Sequence, residues 1–162
     1  MPQIGAGTDS GASKTNDIGC KLVTYKDADK FRFRTPSLLN VEVTGPWGHD
    51  GAYTSLEAIT QHMLSPIKSA KNYDASQLIQ KNIALNNVAK NTLEAIKSGV
   101  HLTAKKKVNK SDVKHLVAFL KALTDPCVKN RACLSAWIPN KNHNDPDGQM
   151  LHARNKASGD LL

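Results

Sequence analysis

The chain is predicted to be mainly α-helical, with long irregular loops and an irregular tail, on three observations. Thr54-Ser-Leu-Glu57 has the spacing of a capping box and opens an apolar stripe at Leu56, Ile59 and Met63. Residues from about Lys110 to Leu123 carry Val113, Leu116, Val117, Leu120 and Leu123 on one side of a helix. The first 30 residues and those after Pro126 are rich in polar and small side chains without sustained periodicity. At 162 residues the chain is long enough for one domain with a sizeable core and long tails.

In chain order, residues 1–30 read as irregular connection. Phe31-Arg-Phe-Arg-Thr-Pro36 alternates apolar and polar side chains, and Pro36 biases Thr35 to extended geometry, so a short extended entry is expected, followed by a turn of helix. Gly45-Pro46, Gly48 and Gly51 make residues 45–52 a compact loop whose backbone is able to approach a ligand. The helix expected from Thr54 ends near Pro66, with Met63 on its buried face in the last turn and His62 off the stripe. Leu78, Ile79, Ile83, Val88, Leu93 and Ile96 have helical spacing over 76–97, interrupted by the polar stretch Asn86–Asn91, and Gly99 is a reasonable stop. Asn109 or Ser111 caps the helix that follows. Two regions result: a helical domain over 1–125 and an irregular arm over 126–162.

No apolar run approaches the roughly 20 residues needed to cross a bilayer, so no membrane span is expected. The first residues have neither a basic n-region nor an apolar h-region, and any export signal is expected upstream of this segment. The net charge of +8, from 22 basic and 14 acidic residues, favours an anionic partner: nucleic acid, an acidic redox protein or a membrane surface. The densest cluster, Lys105-Lys-Lys107 with Lys110 and Lys114, lacks the interleaved aromatics of a single-strand stacking platform, so nucleic acid is set aside. Of three cysteines, Cys127 and Cys133 bracket five residues beside Pro126 and are close enough in sequence for a local disulfide; two independent buried thiols are the alternative. Cys20 is left over. No second Cys or His pair falls at zinc-ligand spacing.

Taken alone, no constellation in the sequence specifies catalysis. His49-Asp50 lacks a nucleophile, and a histidine holding its own loop is the plainer reading. His101, His115, His143 and His152 lie in unrelated contexts. A methionine on an amphipathic stripe, such as Met63, is ordinarily core filler.

Two blocks, however, resemble a known family. Arg34-Thr-Pro-Ser-Leu-Leu-Asn-Val41, Thr44-Gly-Pro-Trp-Gly-His-Asp-Gly51 and Ser55-Leu-Glu57 are similar to the stretch that follows the second haem-attachment motif in bacterial dihaem cytochrome c peroxidases and their MauG-type relatives. Asp112-Val-Lys-His-Leu-Val-Ala-Phe-Leu-Lys-Ala-Leu-Thr124 is similar to the closing helix of that family. The resemblance covers about a third of the chain. It implies the C-terminal part of a cytochrome c-like, electron-transfer haem domain, with Met63 as distal axial ligand of the haem iron. A thioether ligand favours ferrous iron and raises the haem potential. It further implies that the backbone carbonyls of Thr44 and Pro46 bind calcium, and that Trp47 and His49 line the haem environment.

The chain departs from that family where Leu39 replaces the usual arginine, in its longer, lysine-rich stretch from Ser69 to Lys107, and in its Cys127–Cys133 tail. It contains no C-x-x-C-H, so the attachment motif of haem c and its proximal histidine are expected upstream, as is the peroxidatic haem domain. No catalytic residue is expected within the chain itself. The implied parent is a periplasmic oxidoreductase that reduces hydrogen peroxide with electrons from a small cytochrome or cupredoxin, with room for a homodimer. The alternatives are a MauG-like oxidase acting on a protein substrate and a haem-free basic helical binding module.

Overall fold

A computed structural model of the chain describes residues 2–4, 16–78, 83, 88–97 and 108–138. These fall into two compact units, residues 1–123 and 124–162. Helix predominates, and the described residues contain no β-strand, only the isolated bridges Gly19–Arg32 and Trp47–Tyr53.

Among the described residues the first unit holds the α-helices α1 (Lys21–Thr24), α2 (Leu56–Leu64), α3 (Pro66–Lys71), α4 (Val88–Lys97) and α5 (Lys110–Ala122). Helix α2 packs against α3 and α5, and α3 packs against α4. The cap of α2 is Ser55, one residue later than expected: its backbone is extended and its hydroxyl accepts from the Ala58 amide at 3.3 Å. The amide of Thr54, the residue before the cap, donates to the Gln77 carboxamide oxygen at 3.3 Å. Pro66 ends α2 and also starts α3 at the first helical position, where its missing N–H costs nothing.

Helix α5 begins in a complete capping box. The Asn109 side chain accepts from the Asp112 amide and the Asp112 carboxylate accepts from the Asn109 amide, each at 2.9 Å. Val113 is buried, while Val117 and Leu120 pack on a core made of Val41, Ala52, Tyr53, Leu56 and Ile59. The Asn40 amide donates to the Leu123 carbonyl at 3.2 Å, tying the loop before the core to the end of α5.

Several expectations change. Met63 is 61% exposed, not buried, and its neighbour His62, expected off the stripe, is 2% exposed. At 3.6 residues per turn Met63 still projects between Leu56 and Ile59. The core, however, lies against the earlier turns of α2 and stops short of Met63, while Leu56, Ile59 and His62 follow each other at intervals of three. After Pro36 the chain makes hydrogen-bonded turns, Val41 N to Leu38 O at 3.2 Å and Val43 N to Asn40 O at 3.0 Å, but no helix. Of the periodic stretch 76–97, a single 3-10 turn (Ala75–Gln77) and α4 are helical; positions 79–82 and 84–87, and Gly99, lie outside the described residues. So do His101, His143, His152 and Lys105–Lys107.

The N-terminal segment is more than connection. Pro2 and Gln3 are buried. The Gln3 amide donates to the hydroxyl of fully buried Thr92 in α4 at 3.1 Å, its side chain accepts from the Asp17 amide at 2.7 Å, and the Ile4 amide donates to Asp50 Oδ2 at 3.3 Å. Gly19 bridges this region to Arg32 with φ +59°, and a Cβ there would lie 2.4 Å from the Arg32 carbonyl oxygen. Only glycine fits that position.

The second unit, as described, is a run of short turns: a 3-10 turn at Pro126–Lys129, helix α6 (Arg131–Leu134) and a 3-10 turn at Ser135–Trp137. Asp125 accepts from the Cys127 amide, and Asn130 caps α6 by accepting from Ala132 and Cys133. Cys127 and Cys133 are joined in a disulfide with Cα atoms 5.3 Å apart, and Cys20 is free and exposed. Among the described residues no helix is long and apolar enough to cross a membrane.

Candidate functional site

The Thr44–Tyr53 loop and the C-terminal end of α2 hold the residues singled out from the sequence. Trp47 and Tyr53 close the loop through a two-way backbone bridge, Trp47 N to Tyr53 O at 2.7 Å and Tyr53 N to Trp47 O at 3.0 Å. The Trp47 indole N–H donates to the Val41 carbonyl at 2.8 Å, and its ring packs on the core. A Cβ at Gly45 would come within 2.9 Å of that ring, so the glycine lets the backbone pass over the indole. Thr44, Gly45 and Pro46, whose Gly45–Pro46 peptide is cis, are exposed.

His49 turns inward. Its side chain is 8% exposed and its ring stacks on Phe33 with centroids 4.0 Å apart and planes 20° apart. Nε2 lies 3.6 Å from Asp50 Oδ2 and 3.8 Å from Asp17 Oδ2, beyond hydrogen-bond reach, and neither ring nitrogen has a hydrogen-bond partner among the described residues. Burial pushes the His49 pKa below its usual value, against the pull of the Asp50 and Asp17 carboxylates. The imidazole is therefore neutral at pH 7, and these contacts are not ion pairs there. Burial also raises the Asp50 carboxyl, opposed by His49 and by the Ile4 and Ala52 amides that it accepts from at 3.3 and 3.2 Å.

A second cluster lies behind the loop. The buried Tyr53 hydroxyl is 2.9 Å from His62 Nδ1 and 2.8 Å from Ser69 Oγ, joining α2 to α3. Tyr73 meets the Tyr53 ring edge-on at 5.7 Å and donates its own hydroxyl to the Ala52 carbonyl at 2.7 Å. Burial raises the pKa of both phenols, so each keeps its proton at neutral pH. Sequence reading missed this cluster. The signal was present in the i, i+3, i+6 spacing of Leu56, Ile59 and His62, which a search for the i+7 partner passed over.

The structure thus brings together Phe33, His49, Asp50 and Asp17 in one group, and Tyr53, His62, Ser69 and Tyr73 in another. It leaves Met63 at the surface beyond the core. Side chains do not form a metal centre: among the described residues no group of three or more His, Cys, Asp or Glu is placed to hold a metal ion. The donors that the resemblance implies are of another kind, one thioether and two backbone carbonyls. Set against known protein families, curated proteins and solved structures, the chain matches none.

Proposed function

We propose that this chain is the C-terminal part of the electron-transfer haem domain of a dihaem cytochrome c peroxidase, with Met63 as the distal ligand of the haem iron. The observation that carries the reading is the state of Met63. Its thioether lies in the angular sector of the buried stripe of α2, yet 61% of the residue is exposed. A methionine serving only as core filler belongs under cover. A soft thioether held at the end of a packed helix suits iron in a porphyrin.

The loop fits the companion calcium ion in its chemistry. Thr44 and Pro46 are exposed, and their carbonyl oxygens accept no backbone hydrogen bond among the described residues. Hard carbonyl oxygens are what that cation takes, with water completing the shell. Trp47 holds the loop by its indole hydrogen bond, and His49 fills the space beneath it without offering a free nitrogen to solvent.

The haem would supply one-electron transfer between an external redox protein and a second, peroxide-reducing haem. The residues of this chain position rather than react. Ser55 and Asn109 fix the starts of α2 and α5, the core sets where α2 ends, and Met63 is presented there. Methionine instead of tyrosine at this position favours the peroxidase over the MauG-like oxidase. Periplasmic location, a small cytochrome or cupredoxin donor and a homodimer belong to the same proposal.

The test uses the protein produced from its whole coding sequence. Haem-stained gels should reveal covalent haem, and Met63→Ala should abolish sulfur-to-iron charge-transfer absorption and lower the potential of one haem only. Absence of haem together with absence of an upstream C-x-x-C-H would sink the reading and leave the haem-free binding module.

A further inference from the structure

Three aromatic side chains in the first unit are buried or half-buried and able, in principle, to give up an electron: Trp47, Tyr53 and Tyr73. Loss of one electron makes each ring N–H or O–H a strong acid, and in a low-dielectric interior the resulting charge is costly unless the proton leaves with the electron. What the proton meets therefore decides which ring is oxidised. The Trp47 N–H points at the Val41 carbonyl and the Tyr73 O–H at the Ala52 carbonyl, both amide oxygens with no useful basicity. The Tyr53 hydroxyl alone among the three faces an imidazole nitrogen, His62 Nδ1, at 2.9 Å.

We propose that Tyr53 and His62 form a redox-active pair, in which a one-electron oxidant takes an electron from Tyr53 while the phenolic proton passes to Nδ1 of His62. The O–H bond of Tyr53 breaks and an N–H bond forms at Nδ1. The products are a neutral tyrosyl radical, a protonated imidazole and the oxidant reduced by one electron. Return of an electron sends the proton back along the same 2.9 Å contact.

The surroundings fit this task. Tyr53 is 2% and His62 2% exposed, so bulk water does not compete for the proton. The phenolic oxygen has one proton to give, and the proposed pair takes the arrangement in which Ser69 Oγ, 2.8 Å away, donates to that oxygen and Tyr53 donates to Nδ1 of His62. The Asp50 carboxylate acts electrostatically on both Tyr53 and Tyr73, and its negative charge favours the positive charge that oxidation introduces. Tyr73, edge-on at 5.7 Å, is near enough to exchange an electron with Tyr53 but has no base of its own, so the hole settles on Tyr53. His62 is the chain neighbour of Met63, which puts the pair one residue from the proposed haem ligand. Use of the pair by a high-potential haem rests on the function proposed above; the chemistry of the pair needs only an oxidant and is tested without haem.

The experiment oxidises the full chain by flash photolysis with ruthenium tris-bipyridine, in a Tyr25→Phe, Trp137→Phe background that removes two exposed competing rings. Radicals are identified by electron paramagnetic resonance. A tyrosyl signal should form that survives Tyr73→Phe and is lost in Tyr53→Phe. His62→Gln keeps a hydrogen-bond acceptor but removes the base, and should slow formation by about 100-fold, the low end of what a positioned base contributes. Should either variant fail to fold by circular dichroism, the unaltered pair decides: with the proton handed across the 2.9 Å contact and not to water, its oxidation rate should not climb as pH is raised from about 7 to about 9, below the raised Tyr53 pKa. A tyrosyl signal that persists in Tyr53→Phe, an unchanged rate in His62→Gln, or a rate that climbs with pH as for proton loss to water, overturns the proposal. Haem staining of the whole protein reports on the haem reading separately, so the two fail independently.

Discussion

Acidification should destabilise this protein through His49, and the size of the effect is bounded by one proton. The imidazole is buried against Phe33, with no hydrogen-bond partner for either nitrogen among the described residues, and its pKa lies below the ordinary 6.5. The unfolded chain therefore takes up a proton at a pH where the folded protein does not. Stability rises with pH across the window between the lowered folded value and 6.5, and is lost as pH falls below 6.5. One proton of difference gives a slope of at most about 1.4 kcal/mol per pH unit. Asp50 acts in the opposite sense at lower pH. Its raised folded pKa makes the native state hold a proton more tightly than the unfolded chain, so acidification between the raised value and 3.8 returns some stability. The expected profile declines below pH 6.5 and then flattens. Urea midpoints measured across this range should show the decline in the wild type and a much smaller one in His49→Phe, which keeps the stack on Phe33 and cannot titrate. At neutral pH that variant should lose little, because it replaces a buried group that makes no hydrogen bond among the described residues. Equal slopes in the two proteins, or a wild type that gains stability just below pH 6.5, would refute the reasoning.

Other substitutions read the remaining structure. Met63→Ala in the haem-free chain should change stability by no more than about 0.5 kcal/mol, whereas Ile59→Ala, one turn earlier and buried, should cost about 2–5 kcal/mol; denaturant titration of both separates exposed from core positions on one helix. Asn109→Ala removes the side-chain half of the capping box, leaving the Asp112 carboxylate on the backbone amide of residue 109, and should cost about 1 kcal/mol, seen as a shift of the urea midpoint at constant slope. Gly19→Ala places a Cβ 2.4 Å from the Arg32 carbonyl at positive φ, and should cost more than the roughly 1–2 kcal/mol of left-handed backbone alone. Faster hydrogen exchange at the Cys20 and Phe31 amides, which bond to Arg32 and Ile18, should accompany it.

The helices were legible because their signals are local. Asn109 with Asp112, and the stripe through Val113, Val117 and Leu120, specify α5 within one stretch of chain, and the observed helix begins at the expected cap. Helix α2 was legible to within one residue; Ser55 and Thr54 offer the same hydroxyl chemistry at adjacent positions, and Ser55 is the one that accepts from the Ala58 amide. The loop over 45–52 was legible in its glycines and in Pro46, whereas the close passage of Gly45 over the Trp47 ring was not. The redox-capable pair was not. Tyr53, His62 and Ser69 are separated by seven to nine residues at each step and meet only because Pro66 breaks the chain and α3 folds back.

By itself, then, the sequence determined a mainly helical chain, the places where α2 and α5 start, and a tight loop between Thr44 and Tyr53. Those features depend on side-chain period, capping groups and backbone freedom, all set by near neighbours. Tertiary structure decided that His62 is covered and Met63 is not, that His49 stacks on Phe33 instead of facing solvent, and that Pro2–Ile4 is clamped between Thr92 and Asp50. Period places a side chain on a face of its helix. Whether that face is wet or dry depends on which remote segments return to cover it, and that is a property of packing, not of the local pattern.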